Sequence, residues 1–159
     1  MGRGRGRPLE HGFLPAGSLE DVKDFCYWFS TNCLTYRGLA AAANVLKNAG
    51  HPQGPRLVSE AQSYRADLLA GIERSMIASP LVRLRDGTWV PHIPSRLYRR
   101  GRDAGWIREV LEGSVNLITT VLDPEDQRST WILKDYEDNR YLGRPFGYPL
   151  DDFDAQWFS

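Results

Sequence analysis

Apolar side chains recur at helical spacing in four stretches of the chain, at residues 19–48, 55–78, 106–122 and 125–141. An apolar residue at every third or fourth position gives a helix one apolar face, so each stretch is predicted to be an amphipathic helix. The polar run Ser30-Thr31-Asn32 interrupts the first stretch. This stretch is therefore predicted to form either two helices or one kinked helix.

Residues typical of helix ends border these stretches. Ser18 is a suitable N-cap for the first, with Asp21 three residues later as a partial capping box. Gly50 follows the first stretch as a C-terminal glycine, and Pro55 fits the first turn of the next helix. Asp123-Pro124 separates the last two stretches, so two short breaks each join a pair of predicted helices.

The period changes between residues 81 and 98. Leu81 to Arg85 alternate between apolar and basic, Asp86-Gly87 is a strong signal for a tight turn, and Thr88 to Val90 resume the pattern. This segment is predicted to be a short β-hairpin or a long ordered loop.

The predicted fold is mainly α, because helices joined by short breaks pack as antiparallel hairpins. Two hairpins alone leave much apolar surface bare, so we expect them to belong to a larger array. Residues 1–18 are predicted to form an N-terminal loop or extended segment, residues 19–78 a first helical hairpin and residues 79–104 a β-hairpin or loop insertion. Residues 105–142 are predicted to form a second helical hairpin, and residues 143–159 an aromatic loop at which the fold is expected to be truncated.

Four consecutive alanines, residues 40–43, follow Gly38 in the first predicted helix. Small side chains let another helix approach closely, and Gly38, Ala41 and Ala42 are predicted to lie on the contact face. Overpacking is then expected to make Ala42→Leu destabilising.

Composition narrows the function only slightly. Lys plus Arg and Asp plus Glu both number 20, so the charge of the whole chain does not favour a polyanionic partner. Three arginines alternate with glycine between Gly2 and Arg7, which is either a small nucleic-acid tail or an extended segment. We favour the extended segment, because affinity for nucleic acid grows with the number of neutralised phosphates. Five Trp, seven Tyr and six Phe give an aromatic content of 11%, and such rings serve in cores, interfaces and sugar-binding platforms.

Neither metal, cofactor nor membrane is predicted. Cys26 and Cys33 lie about 10 Å apart if both belong to one helix, too far for a disulfide, and thus weakly favour a reducing compartment. His11, His51 and His92 have no partners at metal-ligand spacing, and no nucleotide-binding fingerprint occurs. Without a long apolar run or a secretory signal, the chain as given is expected to be cytoplasmic.

One stretch resembles a known family. His11 to Gly17, followed by Tyr27-Trp28-Phe29-Ser30 and an alanine-rich helix, resembles the Gly-Leu-x-Pro loop and following hairpin of six-hairpin (α/α toroid) glycosidases, with Phe13 at the leucine position. Leu84 to Thr88 and Trp106 to Glu109 are similar to the insertions and next hairpin of bacterial members.

The resemblance spans residues 10–142 and implies an incomplete α/α toroid. It further implies a piece of a glycoside hydrolase that acts on a carbohydrate substrate and is inactive without the remaining hairpins of its parent domain or an oligomer partner.

Glycoside hydrolysis needs two carboxyl groups, one to protonate the leaving oxygen and one to activate water or attack the sugar. In toroids these groups are expected near the starts of inner helices and close to aromatic residues. Two clusters satisfy this requirement: Glu20 with Asp21, Asp24, Trp28 and Arg37, and Trp106 with Arg108, Glu109 and Glu112.

Glu109 and Glu112 are the first catalytic candidates, because three-residue spacing on one helical face lets each raise the other's pKa toward the general-acid range. Glu20 is the second, and Trp106, Trp28 and Arg37 are the substrate-binding candidates. The structural alternatives are dipole-complementing acids at a helix start and a solvated, self-paired helix face. Asp135, Glu137 and Asp138 are interpreted as solvated surface.

Two other classes of function stay open. One is a non-catalytic helical module that binds a sugar or a protein, and the other is an RNA-associated protein that uses the Arg-Gly start.

Overall fold

The computed structural model describes residues 8–19, 22–103 and 113–142. About half of these residues are α-helical, so the fold is mainly α. In chain order the elements are β1 (Gly17–Leu19), β2 (Val22–Cys26), α1 (Phe29–Asn48), α2 (Gly54–Ile77), β3 (Leu81–Arg83), β4 (Trp89–Pro91), a 3₁₀ helix (Ser114–Leu117) and α3 (Gln127–Leu142).

Helices α1 and α2 pack against each other across a connection of residues 49–53, forming one helical hairpin. Gly50 takes φ +71° just after α1, as expected for a C-terminal glycine. At the tip, a Cβ on Gly54 would lie 2.5 Å from the Cα of Lys47, so only glycine lets the two helices approach this closely. The predicted extent of α2 is confirmed, with Pro55 in its first turn.

The first helix begins ten residues later than predicted. Residues 17–19 and 22–26 form an antiparallel β-pair with an irregular register, and Ser18 lies in β1, where it cannot be a helix N-cap. The backbone is extended here because residues 27–29 pair with the segment 95–97. The Phe29 amide donates to the Ser95 carbonyl at 2.9 Å, and the Leu97 amide donates to the Tyr27 carbonyl at 3.1 Å.

The apolar spacing through residues 22–29 was therefore misinterpreted. Phe25 is 76% exposed, so the spacing does not mark a continuous buried face. Cys26 lies in β2 and Cys33 in α1, and both thiols are free. Burial, the largest influence, raises the pKa of the Cys33 thiol to about 12, so this residue behaves as a small apolar core group.

The main core lies between the helical hairpin, the segment after β4, the 3₁₀ helix and α3. Its buried members are Phe29, Cys33, Leu68, Ile72, Ile93, Leu97, Leu117, Val121, Leu122 and Ile132. Phe13, on the loop before β1, packs edge-on against Phe29 with ring centroids 5.6 Å apart. The N-terminal loop is thus anchored to the same core as the helices.

Strands β3 and β4 form the predicted β-hairpin. Val82 pairs with Val90, and Gly87 occupies the turn with φ +86°. Val82, Leu84 and Val90 form a second, smaller core against Trp131 of α3. The alternating pattern in the sequence therefore separates a buried face from an exposed one, as expected for a two-stranded sheet.

The predicted helix at 106–122 is wrong for its described part. Residues 114–117 form a 3₁₀ helix, and turns follow, with Thr119 at φ +67°. Leu117, Val121 and Leu122 are all buried in this tight arrangement, and the Arg65 guanidinium donates to the Val121 carbonyl at 2.8 Å. Residues 106–112 lie outside the described part of the chain.

Helix α3 confirms the last predicted helix, which was placed at residues 125–141. Asp126 caps it, since its carboxylate accepts the Arg128 amide at 2.8 Å. The connection at Asp123-Pro124 is a turn, in which the Asp123 carbonyl also accepts the Ser129 hydroxyl at 2.7 Å.

The alanine that faces the core in α1 is one residue further along the helix than the predicted contact face. Ala43 is fully buried, whereas Ala41 and Ala42 are exposed, and nothing lies within 4 Å of a Cβ built on Gly38. Leu34 and Val45, 54% and 66% exposed, lie on the same side. We call the residues Leu34, Gly38, Ala41, Ala42 and Val45 the outer face of α1.

This phase makes a matched pair of substitutions informative. We expect Ala43→Leu to lower the free energy of unfolding by about 1–3 kcal/mol, because extra methylenes must fit into a packed core. Ala42→Leu is expected to change it by less than about 0.5 kcal/mol, as is usual at a surface site. Urea denaturation of both variants measures the difference, and equal destabilisation by the two would contradict the observed phase.

Candidate functional site

The site residues predicted from sequence fall into two groups. Glu20, Trp106, Glu109 and Glu112 lie outside the described residues. Trp28 and Arg37 are described, and they differ sharply in exposure.

Trp28 is 2% exposed, its indole N–H donates to the Gly17 carbonyl at 2.9 Å, and the Arg96 guanidinium lies 5.0 Å from the ring centroid. Through these contacts, Trp28 joins β1 to the segment after β4. The ring is enclosed by the protein, whereas a sugar-binding platform must be open to the ligand. Arg37 is exposed on α1.

A buried amide joins the N-terminal loop to both helices of the hairpin. The Asn32 Oδ1 atom accepts the Leu14 amide at 2.9 Å and the Tyr64 hydroxyl at 2.7 Å. Its Nδ2 group donates to the Trp28 carbonyl at 2.6 Å. Asn32 is 2% exposed, and these bonds compensate the cost of burying its amide. The loop is therefore held at a defined distance from α1 and α2.

Two glycines allow the same loop to lie against α2. Gly12 has φ +82°, and a Cβ there would lie 2.3 Å from the Oδ2 atom of Asp67. A Cβ on Gly71 would lie 2.7 Å from the ring of Phe13. Residues 12–15, which we call the Gly12 loop, thus contact α2 at two points about one turn apart along that helix.

An open cleft of about 460 Å³ is bordered by the Gly12 loop, the middle of α1 and the first half of α2. The spacing of Glu60, Ser63, Tyr64 and Asp67 places them on one face of α2, and this face lines the cleft. Ser59, Leu39 and the Gly12 loop complete the lining. The cleft is wide and open to solvent, and it combines hydroxyls, carboxylates, the aromatic rings of Phe13 and Tyr64, and aliphatic groups.

The polar groups of the cleft differ in how they are already engaged. Glu60 is half exposed and pairs with Arg56 at 3.0 Å, one helical turn away. Burial and, secondarily, the nearby Cys33 raise the pKa of Tyr64 to about 12, so its phenol is neutral at physiological pH and donates its proton to Asn32. Asp67 has no hydrogen-bond or ion-pair partner among the described residues.

A second cluster of charged groups is buried beside α3. The Nδ1 atom of His92 lies 2.8 Å from Asp135, and Arg102 reaches Asp135 at 2.7 Å and Asp138 at 3.4 Å. Asp103 lies 2.9 Å from the guanidinium of Arg99. The interpretation of Asp135 and Asp138 as solvated surface is therefore wrong, because they are only 2% and 6% exposed.

A sequence signal for this cluster exists but was missed. Asp135 lies three residues after Ile132, and Asp138 lies three residues further along α3, so all three share one side of the helix. Ile132 is 2% exposed, which makes this the buried side. The abundance of charged residues in this helix concealed its apolar phase.

Histidine 92 has the orientation of a catalytic base but no open side. The Asp103 amide donates to its Nε2 atom at 3.0 Å, so the neutral ring carries its proton on Nδ1 and donates to Asp135. At 1% exposure the ring cannot reach a substrate. Burial opposes ionisation of Asp103, but the adjacent His92 ring and the hydrogen bond from the Ser95 amide outweigh it and hold the pKa of that carboxyl below its ordinary value. The cluster is a structural ion-pair network.

The described residues contain neither a cluster of metal ligands nor a helix that could span a membrane. No group of three or more His, Cys, Asp or Glu side chains in them is arranged to bind a metal ion. None of their helices is both long enough and apolar enough to span a membrane.

No family model, curated protein or solved structure matches the chain.

The buried network predicts unequal effects for two acids that are neighbours in α3. Asp135→Ala should cost about 3–5 kcal/mol of unfolding free energy, because it removes the partner of the buried His92 and the nearer of the two carboxylates that pair with the partly buried Arg102. Glu137→Ala, at an exposed position of the same helix, should change it by less than about 0.5 kcal/mol. Urea denaturation at neutral pH tests both, and a small loss for Asp135→Ala would mean that the network is not closed in solution.

The contact between Gly12 and Asp67 can be isolated with a second glycine of similar φ. Gly87→Ala introduces a Cβ at φ +86° into open space and should cost about 1–2 kcal/mol. Gly12→Ala should cost about 1–3 kcal/mol more, because its Cβ also meets Asp67. The excess should shrink in an Asp67→Gly background, because the Cβ of Asp67 itself lies 2.5 Å from the Cβ position on Gly12 and must also be removed to relieve the clash. A constant excess would show that Asp67 does not confine the loop.

Proposed function

We propose that this chain forms part of a carbohydrate-processing catalytic domain of the six-hairpin (α/α toroid) glycosidase kind, and that the cleft beside the Gly12 loop binds sugar. The observation that carries the proposal is the position of the loop. The residues that resemble the Gly-Leu-x-Pro loop of these enzymes form one wall of the cleft, and polar groups of α2 form the other.

The chemistry of the lining supports a polyhydroxylated ligand. Carboxylates accept hydrogen bonds from sugar hydroxyls, and serine hydroxyls both donate and accept them. The aliphatic and aromatic groups, Leu14, Pro15, Leu39 and Tyr64, offer surface to the C–H face of a sugar ring. The Asn32 amide holds the walls in position, so little ordering of the protein has to accompany binding.

We further propose that Glu109 or Glu112 supplies the general acid of the reaction, with Trp106 at the sugar-binding wall and Glu20 as the next acidic candidate. Glu109 and Glu112 have the three-residue spacing at which like charges raise each other's pKa, as a glycosidase acid requires. The second carboxyl group belongs on the opposite face of the scissile bond.

The outer face of α1 supports an incomplete domain. Leu34 and Val45 are large, apolar and about half or more exposed, and the small residues between them leave room for a close neighbour. Another helical hairpin would cover this face, and further hairpins would complete the toroid. The same face also favours the second candidate function, a non-catalytic helical module that binds a protein.

The cleft makes the proposal testable with the chain itself. We expect neutral tetrasaccharides of glucose, xylose or mannose to bind weakly and to shift the amide resonances of residues 12–15 and 59–67 in NMR titrations. Ser63→Ala should weaken this binding by about 2–10-fold through loss of one hydrogen bond.

Gln62→Ala is the matched control, since Gln62 is exposed on α2 beside Ser63 and does not line the cleft. It should leave the affinity unchanged. If no tetrasaccharide shifts these resonances, or if both variants weaken binding equally, the cleft is not a sugar site.

A further inference from the structure

Asp67 is a partly buried carboxylate on the wall of the cleft, and among the described residues it has no cation and no hydrogen-bond donor. Gly12 approaches its side chain so closely that a methyl group would not fit between them. The side chain is therefore confined by the Gly12 loop without being neutralised by it. Its charge remains available to a ligand in the cleft.

The described carboxylates that are buried more deeply than Asp67 are compensated. Asp103 pairs with Arg99, Asp135 with Arg102 and His92, and Asp138 with Arg102. The partly buried Asp126 pairs with Arg128 at 2.6 Å, and Glu10 accepts the Tyr98 hydroxyl. Asp67 departs from this pattern among the described residues, and it does so on the wall of the cleft.

The surroundings of Asp67 favour a positively charged ligand group. None of the described residues lining the cleft is Lys, Arg or His. Glu60 adds a second carboxylate about two turns away on the same face of α2, where it pairs with the exposed Arg56. Tyr64, between the two acids, stays neutral because its pKa is raised to about 12. Its ring can also contact a cation.

From this arrangement we infer that the sugar bound in the cleft carries a protonated amino group, which Asp67 binds directly and Glu60 attracts at the mouth. The inference rests on the proposed function of the cleft and specifies its substrate class: an amino sugar with a free amine. A charge-assisted hydrogen bond between ammonium and carboxylate is stronger than the neutral bond that a sugar hydroxyl would make at the same place.

Three tetrasaccharides with the same β-1,4 backbone test the inference, because they differ only at C2: tetraglucosamine carries amines, tetra-N-acetylglucosamine acetamides and cellotetraose hydroxyls. At about pH 6, where the amines are protonated, tetraglucosamine should bind about tenfold or more tightly than either of the others in calorimetry or NMR titration. Asp67→Asn should abolish this preference, while Glu73→Gln, an exposed change on α2 outside the cleft, should retain it. The melting temperature of Asp67→Asn should stay unchanged, since Asp67 has no hydrogen-bond or ion-pair partner among the described residues.

Each other outcome overturns the inference in a distinguishable way. Equal binding of the three sugars would overturn it and leave the proposed sugar site intact. A preference that survives Asp67→Asn would place the attraction elsewhere on the surface. If tetralysine binds as tightly as tetraglucosamine and loses its affinity in Asp67→Asn, the cleft takes a cationic peptide. If none of the three sugars binds, the inference fails, and the neutral tetrasaccharides decide the proposed function separately.

Discussion

One buried amide, that of Asn32, determines whether this chain has a cleft at all. Its oxygen accepts hydrogen bonds from the N-terminal loop and from α2, and its nitrogen donates to the carbonyl that precedes α1. An unsatisfied amide at this depth would cost several kcal/mol, about 2–7 depending on the reference, so the three segments are strongly held together. Phe13 then packs on Phe29, and Gly12 brings the loop against Asp67. The cleft is the space that remains when these contacts are made.

Charged groups join helix α3 to the segment that follows β4. Helix α3 presents Asp135 and Asp138 to its buried side, where His92, Arg102 and Arg85 meet them. Buried ion pairs add little net stability compared with apolar packing, but an unpaired member is very costly. The network therefore acts mainly on specificity: it selects the one register in which the segment after β4 lies along α3. The structure thus combines an ion-pair network beside α3 with a helical hairpin whose outer face on α1 has no neighbour among the described residues.

Local patterns predicted those elements whose neighbours agree with them. Helix α2, helix α3 and the β3–β4 hairpin carry both the right period and the right end signals, Pro55, Asp123-Pro124 and Asp86-Gly87. Residues 22–26 carry a helical spacing too, yet they form a strand because segment 95–97 pairs with the chain at residues 27–29. The 3₁₀ helix at 114–117 likewise replaces part of a predicted α-helix, and Leu117 is buried in it, as Val121 and Leu122 are in the turns that follow.

The sequence by itself determined the mainly helical character of the chain and the position of its turns. It did so because propensity, capping and periodicity act over a few residues. Only the tertiary structure decided that Asp135 is buried and paired, that Trp28 is enclosed, and that Asp67 faces a cleft without a partner. These properties depend on groups as far apart as Gly12 and Asp67 or His92 and Asp135. The free energy of a carboxylate is set by the atoms around it in space, and residue spacing along the chain does not specify those atoms.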